Sequence, residues 1–476
     1  MKAIETKKPR IAFLPVVMKL FWQLYPELQK SMHDQLRVVL ANAGVQCEVI
    51  EFPVAGSTDE AQEVIELMKK DSFDLIAVWE HGYVASAIPF RIIREFAGMP
   101  VILFITQRDR EIPEDMDYAR YMESTSITSA MELGGVLSRM GHRYHAVTGH
   151  MDDPGIYERL YSLAVSAHTA AEISRAKVGS IGYGYPGMLD ICVDDAEVSK
   201  LVDQVCKITL DEMKDAMSGT DSAKTEAFRQ DAAALFDMTR IKDDDFERAA
   251  KTYFALEQMV LKYGLSALCV HDYDFLSTVT GAVSDFALSM LERNHGLATG
   301  VEGDMPNTIS ALIGRKLSGR SCMFVDWTMT ASSMNAIFLQ HNGKADPDIV
   351  VDPVLSPSAE PFGGVIGEGV VVEAAGAEGD VTLTGMFYRN GWKIFAVDGE
   401  ALRMKARPCR LNQITVKIIR PDMQIKTFIE KACEKGIGHH LNVVRGHWSR
   451  EIRQTADFLN IEFIDINDNK KKCEEY

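Results

Sequence analysis

Short apolar runs alternate with helical patterns through the first third of the chain. Arg10–Pro15, Gln46–Ile50, Leu75–Trp79 and Val101–Phe104 read as strands, and segments with apolar residues at helical spacing separate them. Strand–helix alternation predicts a parallel sheet covered on both faces, with binding loops at the carboxyl ends of its strands. Trp79-Glu80-His81-Gly82 falls at such an end. A helix over Ala130–Met140 and a strand over Tyr144–Gly149 continue the pattern.

A second unit opens near Ala176, where Val178–Ile181 runs into the glycine loop Gly182-Tyr183-Gly184-Tyr185-Pro186-Gly187. That loop lacks the full dinucleotide-binding spacing and a following acidic ribose ligand, so it reads as a plain turn beside a pocket. Ala249, Tyr253, Leu256, Val260 and Tyr263 recur at helical spacing as a core stripe. The strand Ser266–Val270 ends in His271-Asp272, which either line a pocket or satisfy loop backbone. After Pro353 the texture changes to short β-rich runs with glycine turns, which predicts an antiparallel sheet or small barrel. The fold class is therefore α/β and multidomain: an N-terminal α/β domain over 1–172, a central α/β domain over 173–352 and a β-rich domain over 353–476. Asn467–Lys472 reads as a frayed, solvated tail.

A chain of 476 residues exceeds one ordinary core, and 46% hydrophobic with 25% charged residues is normal for a globular protein. The net charge of −17 argues against nonspecific binding to nucleic acid or an anionic membrane, while a metal and a neutral sugar remain compatible and local basic sites leave room for a phosphorylated or sulfonated one. Eight scattered cysteines without a CxxC read as reduced core thiols. No signal-peptide core follows Met1–Arg10 and no run is long enough to span a bilayer, so a cytoplasmic protein is expected.

The strongest chemistry lies in Gly300-Val301-Glu302-Gly303-Asp304-Met305, in Met323-Phe324-Val325-Asp326-Trp327 and in Gly438-His439-His440. Between the first two, Ile309, Leu312, Ile313 and Leu317 mark a helix, Ser318-Gly319-Arg320 a turn, and Cys322–Val325 a buried strand whose end presents Asp326. A helix that runs back along a sheet returns the next strand beside the first, which would bring Glu302 and Asp326 to one site. Acidic residues at strand ends also serve as caps, so position alone does not make them ligands. Carboxylates without cysteine favour a hard cation, and one added imidazole suits manganese, with magnesium or cobalt as substitutes.

These segments resemble the L-fucose isomerase and L-arabinose isomerase superfamily of manganese-dependent aldose–ketose isomerases. Leu291–Asp304 is similar to the family segment that leads into its metal-binding glutamate, and Phe324-Val325-Asp326 to the fucose isomerase strand that ends in an aspartate. Gly438-His439-His440, with Ile452-Arg453-Gln454 and Ile461-Glu462, is similar to the arabinose isomerase ending. The resemblance implies that Glu302 and Asp326 bind the metal and act as the acid/base pair, with His440 as a further ligand. His341 stands where arabinose isomerases have another histidine, and is either ligand or pocket wall. His439, on the face opposite His440 if the chain is extended there, is placed to hydrogen-bond a sugar hydroxyl. Trp79, Met188 and Trp327 either line the sugar or pack in the core. The family also implies a homohexamer in which a neighbouring subunit lends Trp79-Glu80-His81. Two other readings stay open: a non-catalytic sugar-binding or regulatory protein on the same scaffold, and a metal-dependent hydrolase or lyase.

Overall fold

A computed structural model describes residues 8–219, 222–341, 343–358, 361–362, 365–366, 369–404, 411–420 and 422–466. The N-terminal segment before Lys8 and the tail Asn467–Lys472 lie outside them. The described residues divide into two compact units, one ending at Ala171 and the other beginning at Glu172.

In the first unit five parallel strands stand in the order Glu48–Glu51, Arg10–Val17, Leu75–His81, Val101–Gln107, Tyr144–His150. Arg10–Val17 and Leu75–His81 are buried along almost their whole length, as apolar runs covered on both faces must be. The edge strand Tyr144–His150 is mostly half-exposed, and its sequence is correspondingly polar.

Among the described residues the second unit contains two large sheets and a two-stranded ribbon, Pro361–Phe362 paired with Val365–Ile366. Four parallel strands lie in the order Gln204–Lys207, Lys177–Ile181, Ala267–Val270, Ala298–Gly300. Tyr183, Asp272 and Glu302 each follow the carboxyl end of one of these strands by two residues, so three loops meet at one end of the sheet. The chain then enters the helix Met305–Ser318, where Asp304 caps the start, Pro306 stands in the first turn, and left-handed Gly319 ends it.

The β-rich part is a nine-stranded sheet, six strands of which close into a barrel. Around the ring these are Met323–Ala331, Ala336–His341, Asn412–Ile418, Trp392–Leu402, Gly379–Tyr388 and His440–Arg445, which pairs back onto Met323–Ala331. Every barrel pairing is antiparallel. The fold is thus two parallel-sheet α/β regions followed by a β-rich region, as the pattern predicts. Of the described cysteines, Cys47, Cys206, Cys269 and Cys322 are buried thiols, while Cys192 and Cys433 are exposed, contrary to the expectation of core positions.

One local expectation fails. The strand that carries Asp326 does not return beside Ala298–Gly300, nor does it end at Asp326. Its outer part, Trp327–Ala331, pairs with Ala336–His341 as a barrel hairpin, so the run of residues 173–352 gives its last strands to the barrel.

Candidate metal centre

Glu302 comes from the parallel sheet and Asp326, His341 and His440 from the barrel wall. Register explains two of the positions, because Asp326 stands directly opposite His440 across the ladder. Glu302 adopts a left-handed backbone, φ 57°, followed by Gly303 at φ 70°. A non-glycine residue there is held by its surroundings. The Glu302 N–H donates to Asp272 Oδ1 at 3.2 Å, its carbonyl accepts from the Tyr185 N–H at 2.8 Å, and the Gly303 N–H donates to the Val270 carbonyl at 2.9 Å. A side chain at Gly303 would strike the Tyr183 carbonyl. Asp272 therefore serves loop backbone, while the His271 ring packs against Tyr183, Tyr185 and Phe275, and the glycine loop packs on the carboxylate's own turn.

The buried donors converge. His440 Nε2 lies 3.1 Å from Glu302 Oε2 and 3.5 Å from Asp326 Oδ1, and His341 Nε2 lies 3.8 Å from Glu302 Oε1. One donor atom each from Glu302, His341 and His440 fall within 4.8 Å of one another, as do atoms of Asp326, His439 and His440. Neither Glu302 Oε2 nor Asp326 Oδ1 receives a well-formed hydrogen bond, although both oxygens are buried. Ligands held about 2.1 Å from a hard cation at right angles stand about 3.0 Å apart, close to the two shorter separations here. The donor set fits a divalent metal.

Behind it, Asp304 orients the imidazole. Its Oδ2 lies 2.9 Å from His440 Nδ1 and 2.8 Å from Asn307 Nδ2, and its Oδ1 accepts from the Asn307 N–H at 2.9 Å. A carboxylate can only accept, so His440 Nδ1 carries a proton and Nε2 is turned to the ligand cluster. Burial works against a charged His440, but the Asp304 hydrogen bond and Glu302 outweigh it and raise the imidazole to about 10. Burial likewise works against the Glu302 carboxylate, but His440, His341 and His439 hold it below the ordinary range. Asp272, buried beside Asp285 and Glu302, is pushed well above that range.

The other sequence candidates are distributed as follows. His439 precedes the strand His440–Arg445 rather than lying in it, so the expected alternation of faces does not apply, and the two imidazole centroids are 3.9 Å apart. Trp327 donates from Nε1 to the Gly438 carbonyl at 3.0 Å and packs against Phe395 and Phe428. Met188 lies half-buried in the loop that also carries Asp190. Trp79 belongs to the N-terminal unit, where it is buried and donates to Thr106 Oγ1 at 2.7 Å. Around it Gln35, Glu80, His81, Arg108 and Glu123 enclose a cavity of about 10 Å³, room for about one water. Sequence reasoning assigned no role to Asp304 or Asp190. Asp304 could have been noticed as a carboxylate beside a ligand, whereas Asp190 stands 249 residues from His439 with no local signal.

No family model matches the chain. It is 24% identical over 351 residues to a sulfoquinovose isomerase of Alkalicoccus urumqiensis, spanning 72% of this chain and 77% of that protein. It is 21% identical over 362 residues to a sulfoquinovose isomerase of Clostridium sp. (strain MSTE9), spanning 71% and 75%. The relatives are sugar isomerases. Among the described residues no helix is long and apolar enough to cross a membrane.

Proposed function

We propose that the protein is a metal-dependent aldose–ketose isomerase of the L-fucose and L-arabinose isomerase type, with Glu302, Asp326 and His440 as metal ligands and His341 as a fourth candidate. The observation that carries the reading is the convergence of buried acceptors from two sheets on one point, with Asp304 fixing the imidazole behind them. The relatives' names support an isomerase of a sugar, and sulfoquinovose is the first substrate to test. Manganese is the proposed cation, with magnesium or cobalt able to replace it.

Moving a proton between C2 and C1 of an aldose needs a base, an acid and an electrophile for the enediolate that develops. A bound divalent cation supplies the electrophile by polarising the sugar oxygens. Glu302 is 3% exposed and its oxygens face the cluster, so it is suited to take the C2 proton away from water. Asp326, about one third exposed, is the more accessible of the two carboxylates and can return a proton to C1. Trp327 braces Gly438 and so holds the two histidines in place. A homohexamer in which a neighbouring subunit contributes Trp79-Glu80-His81 belongs to the same proposal.

The experiment is a panel of aldoses including sulfoquinovose, L-fucose and L-arabinose, assayed for ketose after chelation and after manganese is restored. Ketose that appears only with metal is the expected result. Full turnover in exhaustively chelated protein with no metal by elemental analysis refutes the proposal.

A further inference from the structure

The chemistry proposed above leaves unused a second, more exposed histidine–carboxylate pair beside the metal site. His439 Nδ1 lies 2.7 Å from Asp190 Oδ2, and the same oxygen accepts the His439 backbone N–H at 3.1 Å. The carboxylate thus holds both the ring and the backbone of one residue. Because it can only accept, Nδ1 carries a proton and Nε2 is the ring nitrogen that Asp190 does not hold. Asp190 is charged at neutral pH, its hydrogen bond from His439 holding it at about 2. Both side chains are roughly 40% exposed, whereas Glu302 and His440 are buried. One donor atom each of His439, His440 and Asp326 lie within 4.8 Å.

Asp190 belongs to the loop between Ile181 and Cys192, which is tied to both halves of the site. Its near end donates from Tyr185 to the Glu302 carbonyl, and its far end grips His439. The geometry holds the His439 imidazole between Asp190 and a carboxylate already given to the enediol chemistry.

We infer that His439 is the base that opens the sugar ring and that Asp190 is its positioning residue; this rests on the aldose–ketose reading above. A cyclic aldose is a hemiacetal with no carbonyl, so the proton shift between C2 and C1 cannot begin until the ring opens. In the step, His439 Nε2 takes the proton of the anomeric hydroxyl, a C1=O1 carbonyl forms and the C1–O5 bond breaks. Its electron pair passes to O5, which takes a proton from water, and the histidine returns its proton to the hydroxide so formed. No oxidation or reduction occurs.

Opening and reclosing interconverts the two anomers, which gives a readout separate from ketose formation. Exchange between the anomeric protons of sulfoquinovose is measured by NMR with manganese-loaded protein, native and Asp190→Asn, with His439→Gln as a second variant. The native protein is expected to accelerate exchange above the buffer rate. Asp190→Asn should lower the saturated exchange rate at least about tenfold, a small share of what general acid–base catalysis contributes. Its half-saturating sugar concentration and manganese affinity should stay within threefold of native. A purely structural loss would move those as well. Absence of ketose from sulfoquinovose, L-fucose and L-arabinose alike with the native, manganese-loaded protein overturns the isomerase reading. Ketose formation without accelerated exchange, or with exchange unchanged in the folded variants, overturns this inference alone.

Discussion

Asp304→Asn removes one charge and no volume, and it should damage the metal centre more than the fold. The carboxylate has two jobs: Oδ1 caps the helix Met305–Ser318, and Oδ2 accepts from both Asn307 Nδ2 and His440 Nδ1. An amide has one oxygen and can do only one of them. With its oxygen on the cap, its NH₂ faces two donors, and His440 relieves the clash by moving its proton to Nε2, the atom needed for metal. With its oxygen on His440, the cap is lost, at about 1 kcal/mol. Stability should therefore fall by roughly 1–3 kcal/mol, the range for a buried polar group left unmatched. Metal affinity should fall about 10–100-fold, a typical effect of losing the partner behind a ligand imidazole. That range corresponds to about 1.4–2.8 kcal/mol. Manganese affinity by competition with a chelator, alongside thermal unfolding of the metal-free protein, separates the two effects. A folded variant that binds manganese within threefold of native would refute the argued tautomer control.

Glu302→Gln and Asp326→Asn keep an oxygen in place but cannot accept the proton, so each should lower turnover by about a hundredfold or more, checked at saturating manganese. Wild-type turnover in either removes that residue from the mechanism. Lys344, fully buried with its Nζ 2.6 Å from Glu292 Oε1, should not tolerate Lys344→Met; the stranded carboxylate should cost about 3–5 kcal/mol in denaturant unfolding. Glu80 in the N-terminal unit is raised by burial from 4.5 to about 7. Its folded value lies above the unfolded one, so the folded state binds the extra proton. The contribution is fully present below about pH 4.5 and is lost as pH rises through 7, by up to about 3 kcal/mol. Glu80→Gln should therefore stabilise at pH 8 and change little at pH 4.5, by urea unfolding at both; equal effects at the two values would count against a buried, protonated Glu80.

Elements set by local pattern were legible in the sequence. The alternation of apolar runs between Arg10 and Phe104 gave the parallel sheet, and the stripe Ala249–Tyr263 falls on the helix Asp243–Tyr263. The β texture after Pro353 gave the antiparallel region. What could not be read was which sheet each strand joins. Met323–Val325 is apolar enough for a parallel strand, and only its partners, His440–Arg445 and Ala336–His341, make it part of a barrel. The candidate ligands were visible as residue types, but the alternation rule misjudged His439 because the strand begins one residue later. Asp304 and Asp190 act through side-chain partners more than a hundred residues away, and no periodicity encodes such pairs.

The strand His440–Arg445 is almost the last to be made, yet it sits between two that precede it, Met323–Ala331 and Gly379–Tyr388. Until it arrives, the barrel wall has a slot with an unpaired strand edge on either side, which is a template for pairing with other chains. The same strand brings His440. Closure of the wall and completion of the ligand set are therefore one event in the life of the nascent chain. A chain cut before residue 440 is expected to aggregate rather than persist as a soluble protein with weak metal affinity, and sedimentation of such a product as it is released would tell the two fates apart.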